Sequence, residues 1–258
     1  MIEIKKITKS YDGRCVIQNI SAIFDTGKTN LIIGRSGSGK TVLLKNVIGL
    51  IRPDAGEILF DGRNLLKMNK KEILSLRREM GLLFQGSALF DSMTVLENVM
   101  FPLEIFSDEQ FRERKKIAMK CLERVDLSSD SYDCFPSEIS GGMMKRAAIA
   151  RAIVLQPKYL FCDEPNSGLD PKTALIIDDL IHSLTYEYGM TTVVNTHDMN
   201  SVLNIGENIL FIKEGIKAWG GTKEEVIYSN NRALEEFVFA SELLRKAIKK
   251  DDEFQKEG

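Results

Sequence analysis

Several things are scarce in this sequence, and each shortage removes a class of protein. The four cysteines, Cys15, Cys121, Cys134 and Cys162, show no C-x-x-C spacing and no companion histidines. Neither a zinc site nor a disulfide framework is indicated, and a reducing compartment fits. Neither sign of charge is in excess: 35 basic against 37 acidic residues give a formal net charge of -2. That leaves no positive field for a phosphate backbone and argues against nucleic acid as a partner. No run of about 18 apolar residues occurs, and the opening Met1-Ile2-Glu3-Ile4-Lys5-Lys6 lacks an apolar core, so neither a membrane span nor a secretory leader is expected. No internal repeat is visible. Only two histidines are present, His182 and His197, which makes the place of each informative.

What is present centres on one stretch. Gly34-Arg35-Ser36-Gly37-Ser38-Gly39-Lys40-Thr41 matches G-x-x-x-x-G-K-[ST] throughout, with Leu31, Ile32 and Ile33 before it and a helical pattern of Leu43, Leu44, Val47 and Ile48 after it. Strand, loop and helix in that order is what phosphate binding needs. Glycines let successive N–H groups point inward, and the helix start adds roughly half a positive charge. On this reading Lys40 reaches the β- and γ-phosphates of a nucleoside triphosphate, and Thr41 places its hydroxyl on Mg²⁺. A length of 258 residues suits one large α/β domain around this loop.

Strands and helices alternate around it. Ile2 and Ile4 alternate with charged residues, and Asp12-Gly13 offers a turn into Cys15, Val16 and Ile17; Glu57 to Phe60 and a second turn, Asp61-Gly62, extend an expected N-terminal antiparallel sheet. Tyr11, just before the first turn, suits base stacking or the core equally. Asn69 with Glu72 reads as a capping box for a helix to about Met80, followed by a buried strand over Leu82, Leu83 and Phe84. Gln85 stands at that strand's carboxyl edge, where an amide can ligate Mg²⁺ or orient water; an isolated glutamine is otherwise a surface hydrogen-bonder.

From Gly86 to Pro157 the character turns helical, with turn signals at Pro102, Ser107, Ser128 to Ser131 and Pro136, so this segment reads as an insertion. Ser107 with Gln110 is expected to cap a helix carrying Ile117, Cys121 and Val125. Ser140-Gly141-Gly142 precedes a helix over Met143 to Leu155 and is either a second anion site or a plain N-cap. Tyr159 to Cys162 reads as a doubly buried strand ending in Asp163-Glu164. Two carboxylates beside a triphosphate invite a division of labour, with Asp163 in the magnesium shell and Glu164 deprotonating the attacking water. Asp170-Pro171 caps the next helix, in which His182 is read as structural. A strand over Thr191 to Asn195 ends in Thr196-His197, at the edge already marked by Gln85 and Glu164. Two more strands, Asn208 to Ile212 and Ile216 to Trp219, precede an apolar stripe of Leu234, Phe237, Ser241, Leu244 and Ile248, which suits packing on its own domain or on a partner subunit.

Along nearly its whole length the chain resembles the nucleotide-binding subunit of an ABC transporter. Tyr11 resembles the base-stacking aromatic, Gly34 to Thr41 with Val42 behind it the Walker A loop, Gln85 the Q-loop glutamine, and Ser140-Gly141-Gly142 the signature. Asp163 and Glu164 look like the Walker B aspartate and catalytic glutamate, Ser167-Gly168-Leu169-Asp170 like the D-loop, and His197 like the switch histidine. The resemblance implies a P-loop (RecA-like) α/β domain over residues 1–228, with an N-terminal antiparallel β subdomain, a helical subdomain inserted at about 86–157, and a helical extension over 229–258. It implies ATP and Mg²⁺, and a head-to-tail dimer with a second copy of the chain, in which Ser140, Gly141, Gly142 and Asp170 reach the partner's nucleotide. The usual signature ends in glutamine, whereas Met143 stands here. With the segment Leu82 to Leu103, that methionine is similar to the ATPases of Mla-type and Mce-type lipid transporters. This likeness implies a MlaE-like integral membrane permease, a periplasmic lipid-binding MCE-type protein, a place on the cytoplasmic face of the inner membrane, and phospholipid movement between inner and outer membranes. The alternatives are an ATPase for importing or exporting another solute, or a soluble non-transport ABC ATPase.

Overall fold

The computed structural model describes residues 1–227, 229 and 231–238. Strands β1 (Ile2–Tyr11) and β2 (Arg14–Phe24) form a hairpin because Asp12 and Gly13 both take positive φ, 47° and 77°, matching the twist of an antiparallel pair. β3 (Thr29–Ile33) leads into α1 (Lys40–Val47), and β4 (Ala55–Phe60) turns through Asp61-Gly62 into the two-residue β5 (Arg63–Asn64). The Asn69–Glu72 capping box closes in both directions and opens α2 (Lys70–Arg78), which returns the chain to β6 (Met80–Leu83). Helices α3 (Val95–Phe106), α4 (Phe111–Arg124) and α5 (Gly141–Ile153) follow. Then come β7 (Tyr159–Asp163), α6 (Pro171–Tyr188), β8 (Thr191–Thr196), α7 (Met199–Ile205), β9 (Asn208–Lys213), β10 (Ile216–Thr222), α8 (Lys223–Ile227) and α9 (Arg232–Val238).

These strands make two sheets. The order β2-β1-β4-β5 is antiparallel, whereas β10-β9-β3-β8-β7-β6 is parallel except for β10. The expected α/β class with a separate antiparallel sheet therefore holds. Strands covered on both faces are mostly apolar, and the central positions of these are. Ile32, Phe161, Val193 and Leu210 join the layer shared with α1 and the antiparallel sheet, while Leu31, Ile33, Leu160, Cys162, Val194 and Phe211 join the layer of α3 to α6. Each such large side chain contributes about 1.5–3 kcal/mol when fully buried. The consequence is geometric: β6, β7, β8 and β3 deliver their carboxyl ends to one edge, where α/β sheets bind ligands.

Local expectations fail in three places. Ser107 ends α3 rather than opening α4, and the N-cap of α4 is Gln110 without a side-chain bond. Pro102, expected as a turn, lies inside α3. Proline removes one N–H from the ladder, but buried Val95, Val99, Met100 and Leu103 hold the helix across it. The strand expected over Leu82 to Phe84 starts earlier and leaves Phe84 outside, because the preceding helix stops at Arg78. At the other end, Leu234, Phe237 and Val238 of α9 join the core, with the Phe237 ring 5.3 Å from Phe211. Ser241, Leu244 and Ile248 lie outside the described residues.

One buried polar cluster ties the helices to the sheet edge. Asp178 of α6 is 1% exposed and accepts from Asn166 Nδ2 at 2.8 Å, while Asn166 also donates to Ser201 Oγ of α7 at 3.0 Å. Burial pushes the Asp178 carboxyl up to about 6, against the hydrogen bonds from Ser201 and Asn166. Because its pKa is raised above the unfolded value, the folded state favours the protonated form. The associated stability is present in acid and is lost as pH rises through about 6. Asp178→Asn, a neutral isostere, is expected to melt above the parent at about pH 7.5, with the gap narrowing as pH falls below about 6 and closing towards about pH 4. A gap that stays constant across that range in thermal unfolding would remove the buried charge from the account.

Candidate active site

The phosphate loop begins where β3 leaves the sheet. Gly34 has φ +152°, and a Cβ there would lie 2.3 Å from the Ile212 carbonyl oxygen and 2.7 Å from Ser38 Oγ. Gly39, at φ +104°, would meet Ile17 Cγ2 at 2.7 Å. Both glycines are steric necessities of a loop wedged between β9 and β2. α1 starts at Lys40 with no side-chain cap and no acidic residue in its first turn, so its leading N–H groups stay free for an anion. Ser38 Oγ is buried without a partner. Lys40, 5% exposed, points Nζ at the carbonyls of Gly34 (2.9 Å) and Arg35 (3.2 Å), 3.8 Å from Glu164 Oε1. Desolvation lowers its pKa, while the charges of Glu164 and Asp163 work the other way.

The two carboxylates arrive on β7. Burial raises the pKa of Asp163, and the hydrogen bond from Asn195 opposes that rise. Asn195 Nδ2 donates to Asp163 Oδ1, and Thr41 Oγ1 lies 3.4 Å from the same oxygen. A hydroxyl and a carboxylate side by side are the oxygen donors that suit Mg²⁺. Glu164 is held at φ +49°, a left-handed backbone that costs a non-glycine residue on the order of 1 kcal/mol or more. Its N–H donates to the Asn195 carbonyl at 2.8 Å, and its carbonyl accepts from Ser167 N at 3.2 Å. This strained turn brings the Glu164 carboxylate between Lys40 and His197, whose Nδ1 is 2.8 Å from Glu164 Oε2. A cleft of about 620 Å³ opens here, lined by Arg35, Ser36, Glu164, Ser167 and His197 among others.

The remaining expected residues lie apart from this centre. Gln85 Nε2 donates to Ser167 Oγ at 3.1 Å, and the Gln85 carbonyl accepts from Lys145 Nζ. Its amide is thus directed to the Ser167 turn rather than to Thr41 or Asp163. The Tyr11 ring is 42% exposed at the hairpin, with Lys9 Nζ 5.5 Å from its centroid. Ser140 caps α5 through Met143 N at 3.3 Å, and Gly142 packs beside Thr173. Asp170 caps α6 on the N–H groups of Lys172 and Thr173, both at 3.1 Å. Among the described residues, no hydrogen bond joins Ser140 to Gly142, or Asp170, to the phosphate loop of the same chain. Three residues that sequence reasoning passed over also matter. Asn195 shows as one amide closing an apolar strand, whereas Lys145 and Arg151 gave no signal within a helical pattern. Arg151 holds the Ser87 and Ala88 carbonyls at 2.7 and 2.6 Å, just past Gln85.

A glycine loop around a buried lysine, with two carboxylates on an adjacent parallel strand, defines a P-loop nucleoside triphosphatase. The sequence model of the ABC transporter family matches residues 17–167, and the chain belongs to that family. It is similar to the protein described as "Probable ribonucleotide transport ATP-binding protein mkl" of Mycobacterium leprae, 36% identical over 92% of this chain and 68% of that one. It is equally similar to the "Intermembrane phospholipid transport system ATP-binding protein MlaF" of Haemophilus influenzae, 36% identical over 92% of this chain and 90% of that one. Among solved structures it resembles the ATP-binding cassette MJ0796, a dimer in a post-hydrolysis state bound to ADP and Pi. There the TM-score is 0.79 at 33% identity, covering 86% of this chain and 99% of that one. The chain is an ABC transporter ATPase that binds and hydrolyses ATP.

The loop geometry makes a direct prediction. Gly34→Ala places a methyl on the Ile212 carbonyl, and displacement of the loop is expected to weaken ATP binding at least about tenfold, the equivalent of about 1.4 kcal/mol. Titration with a fluorescent ATP analogue checks this, and unchanged affinity would show that the loop tolerates the displacement.

Proposed function

We propose that this ATPase powers a phospholipid-transporting ABC system, docked to an integral membrane permease at the cytoplasmic face of the inner membrane and supplied by a periplasmic lipid-binding MCE-type protein. The observation that carries this reading is the similarity to an intermembrane phospholipid transport ATPase over about nine tenths of both chains. Met143 in the signature, which led to the same class, supports it. Transport of another solute is the second reading, favoured by the ribonucleotide description of the mycobacterial relative. An apolar cleft of about 500 Å³ under α3, with Leu82, Phe84, Phe90, Phe101 and Phe106 in its wall, supports docking of a permease helix. Among the described residues no helix is long and apolar enough to cross a membrane.

In this reading the free N–H groups of α1, Ser38 and Lys40 hold the β- and γ-phosphates, and Tyr11 stacks on the base. Thr41 and Asp163, with Gln85 entering on closure, hold Mg²⁺, which when bound neutralises phosphate charge. Glu164 takes a proton from water as the water oxygen bonds to the γ-phosphorus and the bond to ADP breaks. His197, on the same carboxylate, orients that base and faces the developing charge. Two copies face head to tail, so that Ser140, Gly141, Gly142 and Asp170 of one complete the nucleotide site of the other. A head-to-tail arrangement gives these groups a role beyond the helix capping that Ser140 and Asp170 perform in the single chain.

Two variants separate binding from chemistry. Glu164→Gln is expected to keep ATP affinity, lower turnover at least about 100-fold and accumulate an ATP-bound dimer in size-exclusion chromatography. Full turnover would take the base role from Glu164. Lys40→Ala is expected to lose ATP affinity itself, and unchanged binding would unseat the phosphate-loop role. For cargo, mass spectrometry of the complex purified from native membranes is expected to find a permease with bound phospholipid. A solute permease without lipid would favour the second reading.

A further inference from the structure

Asn195 is a buried amide with no counterpart among its neighbours. It sits near the end of β8, opposite Asp163 on one side and Ile32 on the other, and is 0% exposed. Two residues back on the same face is Val193, and Leu210 lies beyond Ile32, all apolar. An amide in such a place is unfavourable unless its hydrogens are used. Both Nδ2 hydrogens are used: one meets Thr41 Oγ1 at 3.2 Å and the other Asp163 Oδ1. Its Oδ1 remains buried without a partner. The amide cannot be turned over to relieve this, because Oδ1 would then oppose a carboxylate oxygen, acceptor against acceptor. The main chain of the same residue receives the Glu164 N–H at 2.8 Å. One residue therefore fixes both carboxylates of the site, Asp163 through its side chain and Glu164 through its backbone.

From this geometry we infer that Asn195 is a positioning residue for the nucleotide's divalent cation, holding the Thr41 hydroxyl and the Asp163 carboxylate together before the cation arrives. The inference rests on the assignment of Thr41 and Asp163 to Mg²⁺, and it adds the residue that orients them. A partner that orients metal ligands is typically worth about 10–100-fold in metal affinity. Asn195 does this while leaving one buried oxygen unsatisfied, which a merely structural residue at a sheet centre would not require.

The test uses the full-length protein, a non-hydrolysable ATP analogue, and Mn²⁺ followed by its electron paramagnetic resonance signal. Asn195→Val is expected to raise the Mn²⁺ half-saturation about 10-fold or more, with nucleotide affinity in excess chelator within about twofold of the parent. Asn195→Thr, which keeps one hydroxyl donor, is expected to recover part of the loss and guards against misfolding of the valine variant. Asp163→Asn serves as the reference for the cation site and is expected to abolish Mn²⁺ binding. If Asp163→Asn acts as expected while both Asn195 variants bind Mn²⁺ like the parent, the inference is overturned and the cation site stands. If Asp163→Asn also leaves Mn²⁺ binding unchanged, the cation site itself is misassigned and the inference falls with it.

Discussion

The site depends on keeping one ammonium group buried. Lys40 is almost inaccessible, and an isolated charge in such a place would lose several kcal/mol of hydration. Its environment compensates in two ways: two peptide carbonyls at hydrogen-bond distance and the Glu164 carboxylate at 3.8 Å. The carbonyls come from the loop itself, so the charge folds the loop as much as the loop holds the charge. The lysine is turned inward on its own backbone. An anion that enters competes with neutral carbonyls, and opposite charge favours the anion.

Such a cluster needs several chain segments converging without flexible reach, and the parallel sheet supplies them. β3, β7 and β8 are adjacent, and in register Asp163 lies beside Asn195 and Asn195 beside Ile32, one residue before the end of β3. The lysine loop, the carboxylates and the histidine are thus consecutive strand ends with almost no intervening loop. Side chains placed by strand register are held more closely than those placed by long loops, and phosphoryl transfer depends chiefly on placement. The left-handed turn at Glu164 is a non-glycine distortion at the end of β7. It swings the second carboxylate out of line with Asp163, towards Lys40 and His197.

What could be read from the sequence follows the same division. Backbone-determined features were legible: the glycine loop, the Asp-Gly turns, the Asn69–Glu72 cap and the four apolar strands with their terminal Gln85, Glu164 and His197. Features decided by tertiary packing were not. Pro102 looks like a breaker, and only the apolar faces packed around α3 keep it helical. Ser107 and Gln110 have capping spacing, but Ser107 belongs to the preceding helix. Asn195 reads as a strand's polar end because its importance lies in what stands across from it, 32 and 154 residues away in sequence.

The packing of α5 connects the parts that the motifs leave separate. Its N-terminus carries Ser140 to Gly142; one turn on, Lys145 holds the Gln85 carbonyl, and two turns further Arg151 holds Ser87 and Ala88. Lys145 is buried and Arg151 half-buried, and desolvation lowers the pKa of each. A cation desolvated in this way and bonded to main-chain oxygens acts as a tie, because releasing it would leave its charge poorly solvated. α5 and the Gln85 turn are therefore constrained to move together. Gln85 in turn donates to Ser167, beside the Glu164 turn. In the proposed head-to-tail dimer, a displacement of Ser140 to Gly142 against the partner's nucleotide would pass along α5 to Gln85. From there it would reach the apolar cleft under α3, so that nucleotide state and permease contact share one mechanical element.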